Sequence, residues 1–257
     1  MSDKKKVGLF VTCLVDMMRP SVGFAAVRLL EQAGCEVVVP ESQTCCGQPG
    51  YNVGAKKDTQ TIAKQVIAAF ENFDYVVAPS GSCAAMISHH YPELFKDDEV
   101  WSKRARGVAM KTFELVSFLT DVMGVESVDA SFKGSVTYHD SCSGLRELKI
   151  KQQPRKLLSS VDGLEMKEMQ DAEICCGFGG TFCVKYSDIS NEMVSCKTQE
   201  VSKSGADMLL AGDLGCLMNM AGKISRDGKP IEVRHVAEVL AGELDSPAIA
   251  ATTSEKA

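Results

Sequence analysis

Eleven cysteines occupy the 257 positions of this chain, and eight of them fall into two sets with nearly the same internal spacing. The first set is Cys13, Cys45, Cys46 and Cys83, and the second is Cys142, Cys175, Cys176 and Cys216. Each is centred on a Cys-Cys-Gly triplet, Cys45-Cys46-Gly47 and Cys175-Cys176-Gly177. Shifting the first set by 129, 130, 130 and 133 positions lays it over the second. Two registered sets of four thiols predict a duplicated chain with one tetrathiolate metal site in each half.

The background fits a duplicated globular protein. The length allows two units of about 125 residues, each large enough for its own core. A formal charge of -6 argues against nucleic acid as a partner, because phosphate binding needs a basic face. No apolar run reaches the 18 or so residues that suggest a membrane span. Lys4-Lys5-Lys6 followed by Val7 to Val15 imitates a signal peptide, but Cys13 lies inside it and Asp16 and Arg19 follow directly. We read it as the first strand. An odd number of cysteines without export points to a reducing, cytoplasmic setting, where clustered thiols bind metal or do redox chemistry.

Strand and helix alternate along the chain. Val7 to Val11 reads as a strand, and a helix from Ser21 to Ala33 stops at Gly34. Glu36 to Val39 is a β-branched strand that ends at Pro40, and a second helix covers Ala55 to Phe70. Tyr75 to Ala78 is the next strand. In the second half Ser135 to His139 and Asp207 to Ala211 are strands, Asp171 to Ile174 leads into the second triplet, and Val233 to Ala241 is a closing helix. The expected fold is α/β: two tandem halves, each a small parallel sheet with helical crossovers. The boundaries are 1–128 for the first domain, 129–245 for the second and 246–257 for a disordered tail. All eight registered cysteines fall at or beyond the C-terminal ends of predicted strands, the edge where open α/β sheets bind ligands.

Thiolates are soft ligands that suit iron–sulfur clusters, zinc and copper(I). Zinc commonly uses two close Cys-x-x-Cys knuckles. Here each set spreads over about 70 residues with adjacent cysteines at its centre. Adjacent cysteines share one small ion only with strain, whereas a cluster offers separate iron atoms. The pattern favours a [4Fe-4S]-type cluster, one or two per chain. The glycine after each pair suits a tight turn whose N–H groups approach sulfur.

Other candidates read as structural. Cys35 and Cys196 are taken as small buried hydrophobes. Cys183 is within reach of the second set. His139 and His235 are taken as satisfied structural histidines, although imidazole also ligates or hydrogen-bonds clusters. His89-His90 ends a helix, Arg146 and Lys185 are solvent-exposed, and the charged stretch from Asp97 to Arg106 is a solvated face. No Gly-x-Gly-x-x-Gly fingerprint follows a strand, so no dinucleotide site is expected.

Two repeats of this spacing resemble the cysteine-rich, or CCG, domain family. It occurs in heterodisulfide reductase and in the iron–sulfur subunit of glycolate oxidase. The resemblance runs from Val7 to about Gly242 and includes Cys45-Cys46-Gly47-Gln48-Pro49, Tyr138-His139-Asp140-Ser141-Cys142 and Cys175 to Phe182. The short form, without a ferredoxin domain, is similar to iron–sulfur subunits of complexes that oxidise L-lactate to pyruvate. That resemblance implies electron transfer and two partner subunits, one with ferredoxin-type clusters. One departure stands out: the family pattern ends each set in Cys-x-x-Cys, but Met86 and Asn219 occupy the last position here. The missing thiols weigh against the disulfide cleavage that the five-cysteine form implies. A thiol–disulfide oxidoreductase and a non-catalytic module stabilised by metal remain the alternatives.

Overall fold

The computed structural model of the protein describes residues 4–251. Strands β1 (Lys6–Leu9), β2 (Glu36–Val38), β3 (Tyr75–Ala78) and β4 (Thr112–Glu114) form one sheet in the order β2-β1-β3-β4. Strands β5 (Ser131–Tyr138), β6 (Asp162–Met166), β7 (Met208–Ala211) and β8 (Glu232–His235) form a second in the order β6-β5-β7-β8. Every pairing is parallel. The expected α/β duplication is therefore observed, with each first strand at an inner position of its sheet.

Helices follow the strands in the same sequence in both halves. α1 (Cys13–Met18) and α2 (Pro20–Gln32) follow β1, α3 (Lys56–Phe70) follows the first triplet, and α4 (Gly81–Ala85) follows β3. α5 (Glu99–Ala109) leads to β4. In the second half α6 (Cys142–Arg146) follows β5, α7 (Ser187–Lys203) follows the second triplet, α8 (Leu214–Arg226) follows β7, and α9 (Val236–Leu240) follows β8. The ends obey local chemistry: Pro20 opens α2, Gly34 lies just beyond it at φ 87°, and Asp98 caps α5 by accepting from Trp101 N.

Four local expectations need correction. Val233 to Ala241 is not one helix: Glu232–His235 pairs with β7, and only Val236–Leu240 is helical. The strand beside β5 is Asp162–Met166, while Asp171 to Ile174 is a turn with Asp171 at φ 59°. β4 was not expected. Residues 246–251 of the supposed disordered tail lie on the molecule, where Ile249 N donates to Val233 O and Arg234 Nη1 donates to Ser246 O. Positions 252–257 lie outside the described residues.

The halves do not keep separate cores. One apolar cluster joins Leu9, Val22, Leu29 and Phe118 to Val136, Leu209, Val236 and Leu240. A second cluster, with Phe10, Phe70, Val76 and Tyr91, belongs to the first half. The loops beyond β3 and β7 meet at a polar seam. There Ser82 N donates to Asp213 Oδ2 at 3.0 Å, and His235 Nε2 lies 3.1 Å from Pro79 O. Arg19 Nε and Ser21 Oγ both donate to the buried Glu238 carboxylate. This seam brings the two cysteine sets to one region of the molecule.

Candidate metal centre

All eight registered cysteines sit at the C-terminal edges of the two sheets. Cys13 opens α1, where Thr12 Oγ1 accepts from Val15 N, and Cys142 opens α6. Cys83 lies in the first turn of α4, its N–H donating to Ser80 Oγ, and Cys216 lies in the first turn of α8. The positive end of a helix favours a thiolate at these positions. Each Cys-Cys-Gly triplet occupies the loop between the second strand of its sheet and the following helix. Gln43 fixes the first loop by accepting from Val11 N at 2.8 Å. Lys197, buried on α7, fixes the second by donating to Asp171 O and Ala172 O.

Within each half the four sulfurs form a connected chain. Cys13 and Cys46 perturb the Cys45 thiol, and Cys83 perturbs Cys46 in turn. Cys142 and Cys176 treat Cys175 in the same way, and Cys176 contacts Cys216. Hydrogen bonds from both neighbours hold Cys45 and Cys175 far below the ordinary thiol range. Donation to that thiolate, together with burial, pushes Cys13, Cys46, Cys142 and Cys176 above it. One thiolate per half is thus already stabilised among thiols that a metal would deprotonate.

The glycines complete this arrangement. Gly47 and Gly177 lie at φ 82° and 83°, and their N–H groups donate to Cys45 Sγ at 3.3 Å and Cys175 Sγ at 3.4 Å. The carbonyl of each second cysteine is also held. Tyr91 Oη donates to Cys46 O, and Asn219 Nδ2 donates to Cys176 O, both at 2.9 Å. Asn219, at the position of the absent thiol, is therefore committed to the loop backbone. Its counterpart Met86 is fully buried among apolar side chains.

A cavity of about 270 Å3 opens beside the first set. Cys13, Cys45, Cys46 and Cys83 line one side, and Phe178, Thr181, Val184 and Leu214 of the second half line the other. The glycine-rich stretch after the second triplet thus crosses the seam and lies beside the first set. Spacing within one half carries no signal for such a crossing.

The remaining candidates separate clearly. Cys35 is buried as expected, but Cys196 is exposed on α7, which corrects its reading as a buried hydrophobe. Cys183 donates its S–H to Gly180 O at 3.2 Å. His235 is satisfied by Pro79 O and Ala237 N. His89-His90 ends a π-helical stretch, with His90 against Glu147, and Arg146 and Lys185 are exposed. Arg104 leaves the solvated face to pair twice with Glu71. His139 differs from its expectation. It is fully buried, and among the described residues neither ring nitrogen has a hydrogen-bond partner. Burial first, and the charge of Lys197 second, push its pKa down to about 3, so the ring is neutral.

The first set therefore lines one cavity, and in the second Cys176 and Cys216 come together with His139, while a backbone N–H lies on Cys45 and on Cys175. Such sets of thiols fit a soft metal ion or cluster. Among the described residues no helix is long and apolar enough to cross a membrane.

The model of the cysteine-rich (CCG) domain matches twice, over residues 7–88 and 136–221. Lactate utilization protein A of Halalkalibacterium halodurans is 51% identical over 235 residues, covering 91% of this chain and 96% of that protein. Lactate utilization protein A of Bacillus pumilus is 52% identical over 235 residues, covering 91% and 98%. Among solved structures, a hypothetical protein from Helicobacter pylori superposes with a TM-score of 0.65 at 11% identity. That match covers 94% of this chain and 49% of the other, and it shows the fold alone. Two matched repeats, each containing one registered cysteine set, establish that this chain belongs to the cysteine-rich CCG domain family.

Proposed function

We propose that each cysteine set holds an iron–sulfur cluster of [4Fe-4S] type, and that the chain is the electron-transfer subunit of a cytoplasmic complex oxidising L-lactate to pyruvate. The observation that carries this reading is that all eight registered cysteines lie at the C-terminal edges of the two sheets, around two Cys-Cys-Gly turns. Cys13, Cys45, Cys46 and Cys83 would hold one cluster, and Cys142, Cys175, Cys176 and Cys216 the other. When bound, such clusters supply one-electron transfer at a potential tuned by hydrogen bonds to sulfur. Gly47 N and Gly177 N provide such bonds, and the Phe178–Val184 stretch lines the cavity beside the first set. Relatives named for lactate utilization support the substrate. The chain lacks a dinucleotide fingerprint, so lactate oxidation is assigned to two partner subunits, one with ferredoxin-type clusters.

Anaerobic purification with iron and sulfide analysis tests the cofactor. Two clusters give about eight irons and eight sulfides per chain, and Cys45→Ser with Cys46→Ser removes about half. Colourless protein with stoichiometric zinc and no iron would overturn the reading in favour of a structural metal module. The function is tested by adding L-lactate to the chain together with its lactate-oxidising subunits. Bleaching of the cluster absorbance supports electron transfer. A chain that lactate leaves oxidised, yet which reduces a disulfide from a one-electron donor, is a thiol–disulfide oxidoreductase instead.

A further inference from the structure

The two sets differ at one buried position beside the metal ligands. His139 precedes Cys142 by three residues, and Phe10 precedes Cys13 by three. The backbone places them equivalently: Phe10 N donates to Val77 O and His139 N to Leu210 O, both at 2.8 Å. Both side chains are fully buried. Phe10 satisfies its surroundings by packing on Phe70, with ring centroids 5.6 Å apart. His139 places two unpaired nitrogens in the same location. A buried polar group left unsatisfied is destabilising, and native structures rarely tolerate one without a reason.

A ligand role supplies that reason. One ring nitrogen of His139 and the sulfurs of Cys176 and Cys216 all lie within 4.8 Å of one another. Three different elements deliver these atoms: the end of β5, the triplet loop and the first turn of α8. The Ala172 carbonyl lies near the ring but already accepts from Asp140 N at 3.2 Å and Lys197 Nζ at 3.1 Å. A backbone carbonyl behind a metal-bound imidazole is the usual means of fixing its orientation. Asn219 is tied to the triplet loop through its Nδ2, which donates to Cys176 O.

We propose that His139 is a nitrogen ligand of the second metal centre, which makes that centre four-thiolate and one-imidazole beside an all-thiolate first centre. This rests on the reading that the second set holds an iron–sulfur cluster. An added neutral imidazole brings no negative charge that would oppose reduction. The surroundings act in the same direction. Shifting α3 by 131 positions lays Lys56 on Ser187 and Val66 on Lys197, so a buried cation stands in the second half where valine stands in the first. The second cluster is therefore reduced before the first.

The test uses the full chain, reconstituted anaerobically with ferrous iron and sulfide and partly reduced. Pulsed EPR is recorded on unlabelled protein and on protein grown with [15N]histidine. The expected result is a histidine nitrogen coupling on the cluster reduced first, which changes to the 15N pattern on labelling. It disappears in His139→Phe, which copies Phe10, and in His139→Cys, which keeps a ligand but removes the nitrogen. The potential of that cluster shifts in His139→Phe, and the other cluster stays put. Wild-type protein with iron at both sites but no histidine coupling overturns the inference and leaves the proposed function standing. A coupling that survives in His139→Cys belongs to another histidine and also overturns it. Should His139→Phe fail to fold, the labelled wild type and His139→Cys decide alone. Protein without iron overturns the proposed function, and the inference with it.

Discussion

Gly177→Ala separates backbone strain from close approach at the second triplet. Two glycines in this chain share almost the same backbone conformation but differ in surroundings. Gly34 lies at φ 87° with nothing within 4 Å of where a Cβ would stand. Gly177 lies at φ 83°, and a Cβ there would meet Ser190 O at 2.8 Å and Met193 Cβ at 3.0 Å. The first contact is backbone of α7, so no flexible side chain can give way. The loop is also tied to that helix by Ser190 Oγ donating to Gly177 O at 2.9 Å. Gly34→Ala therefore costs only the left-handed backbone term, about 1 kcal/mol. Gly177→Ala adds an overpacking term of about 1–3 kcal/mol, giving about 2–4 kcal/mol in total. Urea denaturation of the metal-free, reduced chain measures both. Displacing Gly177 also moves its N–H away from Cys175 Sγ, so iron retention at the second set falls in Gly177→Ala and not in Gly34→Ala. Variants that differ by less than about 0.5 kcal/mol would refute the argument that helix contact, rather than φ alone, demands glycine here.

Four further substitutions probe the surroundings of the two sites. Arg155 donates Nη1 and Nη2 to the buried Asp140 carboxylate at 2.8 and 2.9 Å, so Arg155→Ala strands a charge two residues from Cys142. A loss of about 3 kcal/mol is expected by urea denaturation, and a loss below about 1 kcal/mol would refute the pairing. Glu114 is fully buried, and burial pushes its pKa from the ordinary 4.5 up to about 7. The folded chain therefore holds this proton where the unfolded chain has lost it, and stability falls as pH rises from about 4.5 to about 7. The full effect is about 3 kcal/mol. Glu114→Gln removes this dependence, so its stability relative to wild type rises over that window, and a constant difference would refute the assignment. Tyr91→Phe removes the donor to Cys46 O and costs about 1–2 kcal/mol. Asn219→Ala does the same at Cys176 O. Each variant should release iron faster from its own set only, as followed by chelator challenge; equal release from both sets would show that the two loops are coupled.

The legible part of this fold was the part that counts residues. Ligand spacing survives as arithmetic in the chain, so the duplication and the eight cysteines could be read directly. The inner strands were legible because they are short apolar runs. The edges were not. β6 carries Asp162, Gly163 and Glu165, β8 carries Glu232 and Arg234, and β4 has three residues. Strands at a sheet edge tolerate charge and lose the apolar signal. Val233 to Ala241 read as helix because its apolar residues continue unbroken through β8 into α9. The crossing of Phe178–Val184 onto the first set is a tertiary fact with no local periodicity.

His139 was missed for a different reason. A lone histidine beside a strand is usually structural, so its own neighbourhood gave no cause to select it. The useful signal was the comparison of halves: in a duplicated chain each half is a control for the other. Phe10 shows that the position takes an apolar ring without difficulty, so an imidazole with two unpaired nitrogens there is not a packing requirement. Tyr91 and Asn219 make the complementary point. They come from non-equivalent positions and from chemically different side chains, yet both donate to the second cysteine carbonyl at 2.9 Å. Where both halves meet a need by different residues, the need belongs to the turn that holds the thiols. Where only one half carries the feature, as with His139 and Lys197, the feature belongs to what distinguishes the two centres.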